Sequence, residues 1–366
     1  MSSKVFFTDL RTRSGRNILD KLRALFAAAD LSACLAPGDL AALKIHAGEP
    51  GNLSVLRPPL LRTVVELVRA CGAKPFLTDA NTLYMGGRAN AVDHALAAAL
   101  NGYTPEAVGA PFIAADGLLG KDHELIKTGG ELGEVKIAAA LAQADALIAL
   151  THFKGHDEAG FGGVIKNLGM GGASRAGKLV QHAEVRPEVN PDKCLGCRRC
   201  ARYCPAGAIT YAASGTAAID RGDCLGCGEC IITCNHRAIA INWRAGETLQ
   251  RRMAEHAAGL LSTKPGKCGF ITFLMDISPD CDCCSWNDPP IAPSLGIAAS
   301  RDPVALDQAC ADLVNAAPFL KESDGGAGAG RDKFRLIHPE ADWAVQLDYA
   351  RELGIGTREY ELIEID

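Results

Sequence analysis

The chain has 366 residues, 48% of them hydrophobic, with 39 Gly, 18 Pro, 15 Cys and a formal charge of −5. That much apolar material suits two compact domains or one large domain with an insertion, and the acidic balance argues against wholesale nucleic-acid binding. No run approaches the roughly 20 apolar residues of a membrane span; the longest, 137–150, is broken by Gln143 and Asp145.

Short apolar strands alternate with Ala/Leu-rich helices, the rhythm of an α/β protein. In chain order the sequence predicts a strand at 42–47, a helix at 57–71, a strand at 75–78, a helix at 90–101 and strands at 112–115 and 146–151. After a cysteine-rich interruption come a helix at 245–261, strands at 270–275 and 296–299, and a helix at 302–316. The expected architecture is one discontinuous sheet-and-helix domain, 1–186 and 245–366, with an insertion at 187–244 whose approach is marked by Pro187 and Pro191. A Gly-rich stretch at 325–330 reads as a loop.

Polar residues gather just after the predicted strands, where open α/β sheets place their ligand crevice. His46 stands at the end of the first and Glu49 just beyond it, Asp79 and Asn81 follow the second, and His152 the fourth. From His152 to His182 the chain then holds three His, three Lys and eight Gly. Glycine permits close backbone approach, so this stretch reads as a loop wrapped against a ligand. His152, His156, Lys166 and His182 are the candidate catalytic groups, and Gly169, Gly171, Asp79 and Asn81 the candidate cofactor contacts. An anion or substrate site, a metal site built on the histidines and plain loop chemistry all remain open here. Residues 172–178 match Gly-x4-Gly-Lys, but Leu179 stands where a nucleotide-binding loop needs Ser or Thr to hold magnesium.

The insertion carries the densest signal. Cys194, Cys197, Cys200 and Cys204 follow the spacing Cys-x2-Cys-x2-Cys-x3-Cys, and Cys224, Cys227, Cys230 and Cys234 repeat it 30 residues later. In such runs three close thiolates wrap one iron–sulfur cubane while the fourth reaches the neighbouring one. The expected sets are therefore Cys194, Cys197, Cys200 and Cys234 on one 4Fe-4S cluster, and Cys224, Cys227, Cys230 and Cys204 on the other. Zinc fits less well, because neither run closes a four-cysteine tetrahedron. Ala208-Ile209 and Ala238-Ile239 extend the repeat, which resembles the two halves of bacterial two-cluster ferredoxins, although Asn235 replaces the usual Pro. Between 191 and 244 seven Lys or Arg face four acids, a positive patch suited to an acidic, low-potential electron carrier such as ferredoxin or flavodoxin.

A late run, DCDCCSW, offers Cys281 and Cys283, with Cys284 beside them, as soft metal ligands or redox thiols, or as merely structural cysteines. Cys34, Cys71, Cys268 and Cys310 read as core. The segment MSSKVFFTDL lacks a signal-peptide pattern, so metal binding explains fifteen cysteines better than disulfides do, and the expected location is the cytoplasm of an organism living with little oxygen.

The stretches HFKGHDEAGFGGVIKNLGMG, DANTLYMGGR, CDCCSWNDPPIAPSLGIAASRDPVALD and LGIGTREYELIEI resemble, over nearly the whole chain, the domain-of-unknown-function family three-six-two in its ferredoxin-containing form. That resemblance implies an iron–sulfur protein and names no reaction. A fainter similarity links His152-Phe-Lys-Gly and Gly162-Gly163-x-x-Lys166 to the nickel-pincer lactate racemases, with different spacing and His156 as an extra histidine. The expected function is an iron–sulfur oxidoreductase that passes electrons through two 4Fe-4S clusters to a small anionic substrate, or to an unidentified second cofactor or metal, in the α/β crevice. The alternatives are a non-catalytic electron carrier, a metal-cofactor assembly protein, or an isomerase using a nickel or other metal group.

Overall fold

In the computed structural model all residues are described except 1, 85, 183–186, 225–228, 241–245 and 321–329. Cys227, most of the Gly-rich stretch at 325–330 and residues 186, 244 and 245, where the insertion is expected to begin and end, therefore lie outside the described residues.

The run Ala146–His152 is apolar through Leu150 and buried at every position, as a strand covered on both faces must be. It stands near the middle of an eight-stranded sheet. The strand order is Tyr360–Glu364, Ser3–Asp9, Gly296–Ser300, Cys268–Leu274, Ala146–His152, Leu40–Lys44, Lys74–Asp79, Phe112–Ala114. Gly296–Ser300 alone runs against the others. Strands from before and after the cysteine-rich segment pair directly: Ala146–His152 with Cys268–Leu274, and Ser3–Asp9 with Gly296–Ser300. The six predicted strands lie within two residues of their expected starts. Sequence periodicity points to neither outer pair member, Ser3–Asp9 or Tyr360–Glu364, because these half-exposed segments mix charged and apolar side chains.

Helices cover both faces. Helix Pro58–Ala70 starts on two prolines, which fit the first turn, and buries Leu60, Leu61, Val64, Val65 and Val68 along one side. On the other face Val164–Gly172, Gly246–Ser262 and Pro303–Ala316 bury a second set that includes Leu168, Met253 and Leu306. Asp302 caps the last of these, its Oδ1 accepting the Val304 and Ala305 N–H groups at 2.9 Å each. The stretch expected as a ligand-wrapped loop instead forms a hairpin, Lys154–His156 with Gly160–Gly162, followed by helices Val164–Gly172 and Arg175–Gln181. Its glycines serve close packing. A Cβ on Gly169 would lie 2.0 Å from the Met253 carbonyl oxygen, and one on Gly163 would lie 2.3 Å from Asp307 Oδ1.

The cysteine-rich segment forms two small antiparallel ladders, Glu188–Val189 with Ile239–Ala240 and Ile209–Tyr211 with Ala217–Ile219. Its short helices, Arg199–Arg202 and Glu229–Thr233, pack together. The halves repeat in their bonding as well as in sequence. Asp220 donates its N–H to the Ala208 carbonyl at 2.8 Å, as Asn190 does to the Ala238 carbonyl at 2.7 Å. The segment docks on the sheet domain through Leu83 and Leu179, which share an apolar cluster with Cys200, Ile209, Cys230 and Cys234. Among the described residues no helix is long and apolar enough to cross a membrane.

Candidate functional site

Connections from Leu40–Lys44 to Lys74–Asp79 to Phe112–Ala114 step outward, and the chain then returns to the opposite side of Leu40–Lys44 to build Ala146–His152. The sheet therefore opens at its carboxyl edge between Leu40–Lys44 and Ala146–His152, the place where α/β folds bind ligands. A cavity of about 370 Å³ lies there, lined by His46, Asp79, Leu83, Arg88, His152, Lys154, His156, Glu158, Lys166, Lys178, His182 and Cys283 among others.

Its floor is a buried network of charges. Lys44, fully buried, donates to Asp79 Oδ1 at 2.9 Å, to the Asn167 side-chain oxygen at 2.8 Å and to the Ile45 carbonyl at 2.7 Å. Asp79 also accepts the Ala47 and Ala80 N–H groups and approaches Arg88 Nη1 at 3.5 Å. Burial opposes ionisation of Asp79, but the Lys44 ammonium together with His94 and His46 outweighs it and holds the carboxyl well below its ordinary range. Arg88 continues the chain to Glu49 Oε2 at 3.0 Å and to the Tyr84 hydroxyl at 2.5 Å. Paired in this way, the charges are fixed wall material.

A second network anchors the late cysteine loop. His152 faces Asp282 through Nδ1 at 2.9 Å and the Met275 carbonyl through Nε2 at 2.9 Å. Lys154 reaches the same Asp282 carboxylate at 3.3 Å. Burial would raise Asp282, but these two neighbours hold it below the ordinary carboxylate range. With Asp282 pinned, Cys281 and Cys283 on either side lie next to His156 and Lys166. The ligand atoms of His156, Cys281 and Cys283 fall within 4.8 Å of one another, so the three could hold a metal ion. Lys166 Nζ stands 3.6 Å from Cys281 Sγ. A hydrogen bond with Cys283 and burial push the Cys281 thiol up, against the pull of Lys166 and His46.

Burial drives His156 well below the usual imidazole value and His182 down to about 3, with Lys166 adding to both, so these rings are neutral near pH 7. His152, with both ring nitrogens engaged, holds the Cys281–Cys283 loop. Asn81 is directed away from the cavity: its side-chain nitrogen donates to Asp116 Oδ1 and to the Gly117 carbonyl, both at 2.8 Å. Gly169 lies at a helix crossing, whereas Gly171 borders the cavity beside Lys44. The structure thus brings Asp79, His152, His156, Lys166, Gly171, His182 and Cys283 to one cavity, with Cys281 behind them.

Sequence reasoning missed Lys44, Arg88, Lys178 and Glu158. Burial and the neighbouring Asp157 push Glu158 up to about 7, and its Oε1 is buried without a hydrogen-bond partner. Burial brings Lys178 down to about 8. Lys44 did leave a signal, since a lysine inside the apolar run LAALKIHA demands a buried partner.

In the cysteine-rich segment, Cys194, Cys197, Cys200 and Cys234 border one small space together with Tyr211 and Ala217. Ala217 N–H points at Cys194 Sγ at 3.4 Å and Ala238 N–H at Cys234 Sγ at 3.3 Å, while the Tyr211 hydroxyl lies 3.3 Å from Cys200 Sγ.

The sequence matches the family model described as Domain of unknown function (DUF362) over residues 41–312, a span that includes the cavity residues and the cysteine-rich segment. No curated protein matches it. Among solved structures, the lactate racemase apoprotein from Thermoanaerobacterium thermosaccharolyticum is similar at 14% identity with a TM-score of 0.38; the match covers 74% of this chain and 51% of that one. The chain thus spans about half the length of that protein.

Proposed function

The chain belongs to the DUF362 family of unknown function, and from that premise we propose an iron–sulfur oxidoreductase in which two 4Fe-4S clusters pass single electrons to a substrate or second cofactor in the switch-point cavity. One cluster would sit on Cys194, Cys197, Cys200 and Cys234, the other on Cys224, Cys227, Cys230 and Cys204, in a ferredoxin-like module inserted into the sheet domain. The observation that carries this reading is the space shared by Cys194, Cys197, Cys200 and Cys234, since it draws its fourth thiol from the distant run.

Two features support it. The Ala217 and Ala238 N–H groups aimed at sulfur are the kind of contact that tunes cluster potential. Leu83 belongs to the apolar cluster that includes Cys200, Cys230 and Cys234 and also lines the cavity, so the cysteine-rich segment packs against the cavity wall.

Electrons would arrive from an acidic low-potential carrier at the Arg-rich face of the module. In the cavity Lys166 would hold an anionic group of the substrate as a point charge. Glu158, poised near neutrality, would exchange the proton, and His156 and His182 would act as neutral hydrogen-bond partners. Clusters supply one-electron transfer; the residues named here supply binding and proton management.

Anaerobic purification with iron, sulfide and electron paramagnetic resonance measurement tests the proposal. About eight irons and about eight sulfides per chain, with a reduced signal showing two coupled clusters, are expected. Iron clearly below that level in fresh anaerobic protein, or zinc in its place on these cysteines, overturns it.

A further inference from the structure

We propose that Cys281, Cys283 and His156 bind one thiophilic divalent cation of the zinc class, with an open coordination position facing the cavity. The site needs neither iron nor sulfide; only the anionic character of its substrate rests on the reading of the cavity given above.

The geometry is close to closure. A tetrahedral zinc with ligands at roughly 2.0–2.3 Å holds its donors somewhat under 4 Å apart. Here the three ligand atoms already lie within 4.8 Å of one another, so a contraction of about 1 Å completes the set. The loop that presents the sulfurs is held in advance. Asp282, between the two cysteines, is clamped by His152 and Lys154, and its carbonyl accepts the Glu49 N–H at 2.9 Å. Cys284 N–H closes the turn onto the Cys281 carbonyl at 3.0 Å.

Two sulfurs and one nitrogen make three protein ligands, the number found in catalytic zinc sites, where the fourth position is left to water or substrate. His156 and Cys283 both border the cavity, which directs that position inward. Two thiolates cancel a divalent charge, and Lys166, 3.6 Å from Cys281 Sγ, leaves the assembly one positive charge in excess. The ligand class that fits is a carboxylate or similar anion, bound jointly by the cation and Lys166.

His156 is the weaker arm. Its Nδ1 accepts the Glu158 and Ala159 N–H groups at 3.1 and 3.2 Å. An ion at Nδ1 displaces those contacts, and an ion at Nε2 moves the ring proton to Nδ1, which then can no longer accept them. Either exchange costs free energy that the two thiolates offset, so the cysteines dominate affinity.

The test uses the whole anaerobic protein, dialysed against zinc in a chelator buffer, with zinc, iron and sulfide counted per chain. Zinc at one per chain beyond the iron content is expected. C281S/C283S should lose it with iron unchanged, and Cys284→Ser should keep it. His156→Ala should weaken retention on the order of 10-fold, and either cysteine change on the order of 100-fold or more. Zinc should also protect Cys281 and Cys283 of the unaltered protein from alkylation, mapped by mass spectrometry, and that measurement decides the matter if the double variant misfolds. No bound zinc, zinc that survives C281S/C283S, or isolation of the pair as a disulfide that zinc does not prevent overturns the proposal. Loss of iron with zinc intact would count against the clusters and leave this site standing.

Discussion

The switch-point cavity and the cysteine-rich segment are both crowded with reactive side chains, yet they are stabilised by opposite means. The cavity hangs from an eight-stranded sheet, and its charges are matched among themselves: Lys44 with Asp79, Arg88 with Glu49, His152 and Lys154 with Asp282. Among its described residues the segment has little core. The buried apolar cluster there has ten described members, of which Cys200, Cys230 and Cys234 are thiols and Leu83 and Leu179 belong to the sheet domain. Five residues of its own, Ile209, Ala217, Ile231, Ala238 and Ile239, cannot bury enough surface to offset the ordering of the chain around them. The difference teaches where the proposed metal would matter for folding: in the segment it would substitute for a core, and at the cavity it would be added to a site that stands without it.

Stripping the proposed clusters would expose that contrast most sharply. Anaerobic chelation of iron should open the segment to proteolysis between 187 and 244, with cleavage rising at least about 10-fold, while the sheet keeps its protection. Uniform resistance after iron loss would show that the segment folds by packing alone. The converse experiment attacks the cavity floor. Asp79→Ala leaves the fully buried Lys44 without its carboxylate, and removing one partner of a buried pair costs about 3–5 kcal/mol. Urea unfolding of the sheet domain should shift by that amount with iron content intact. A shift under about 1 kcal/mol would mean that Asn167 and the Ile45 carbonyl satisfy the ammonium alone.

The same contrast explains what the sequence made legible. Strand ends could be read because 146–151 and 270–275 are apolar runs that only a covered sheet accommodates, and polar residues just beyond them, such as Asp79 and His152, point to the carboxyl edge. Which of those groups are free to react could not be read, because that depends on pairing across the switch point. His152 looks reactive in a linear sequence and proves to be held at both nitrogens by partners 123 and 130 residues away. Gly169 belongs to a glycine-dense stretch that suggests a ligand, yet its missing side chain is required by Met253 on another helix. Asp282, hidden between two conspicuous cysteines, drew no attention although it anchors both. In the cysteine segment the spacing itself carries the information, since local repeats need no tertiary context to be recognised.

Acid titration sharpens the comparison through a smaller effect. His256, buried in helix Gly246–Ser262, donates from Nδ1 to the Arg252 carbonyl at 2.8 Å, while its Nε2 has no hydrogen-bond partner. Burial brings its pKa down from 6.5 to about 4. Between those values the unfolded chain takes up a proton that the folded ring refuses, so stability is full above about pH 6.5 and declines as the pH falls toward 4. At pH 5 this one ring costs about 2 kcal/mol relative to neutral pH. His256→Leu should remove that share of the acid sensitivity, seen as a flatter plot of unfolding free energy against pH between 7 and 5. Loss of the proposed clusters on acidification would follow thiolate protonation instead and should keep its midpoint in the variant. If both transitions move together, the sheet domain and the cysteine segment unfold as one unit and the division drawn between them fails.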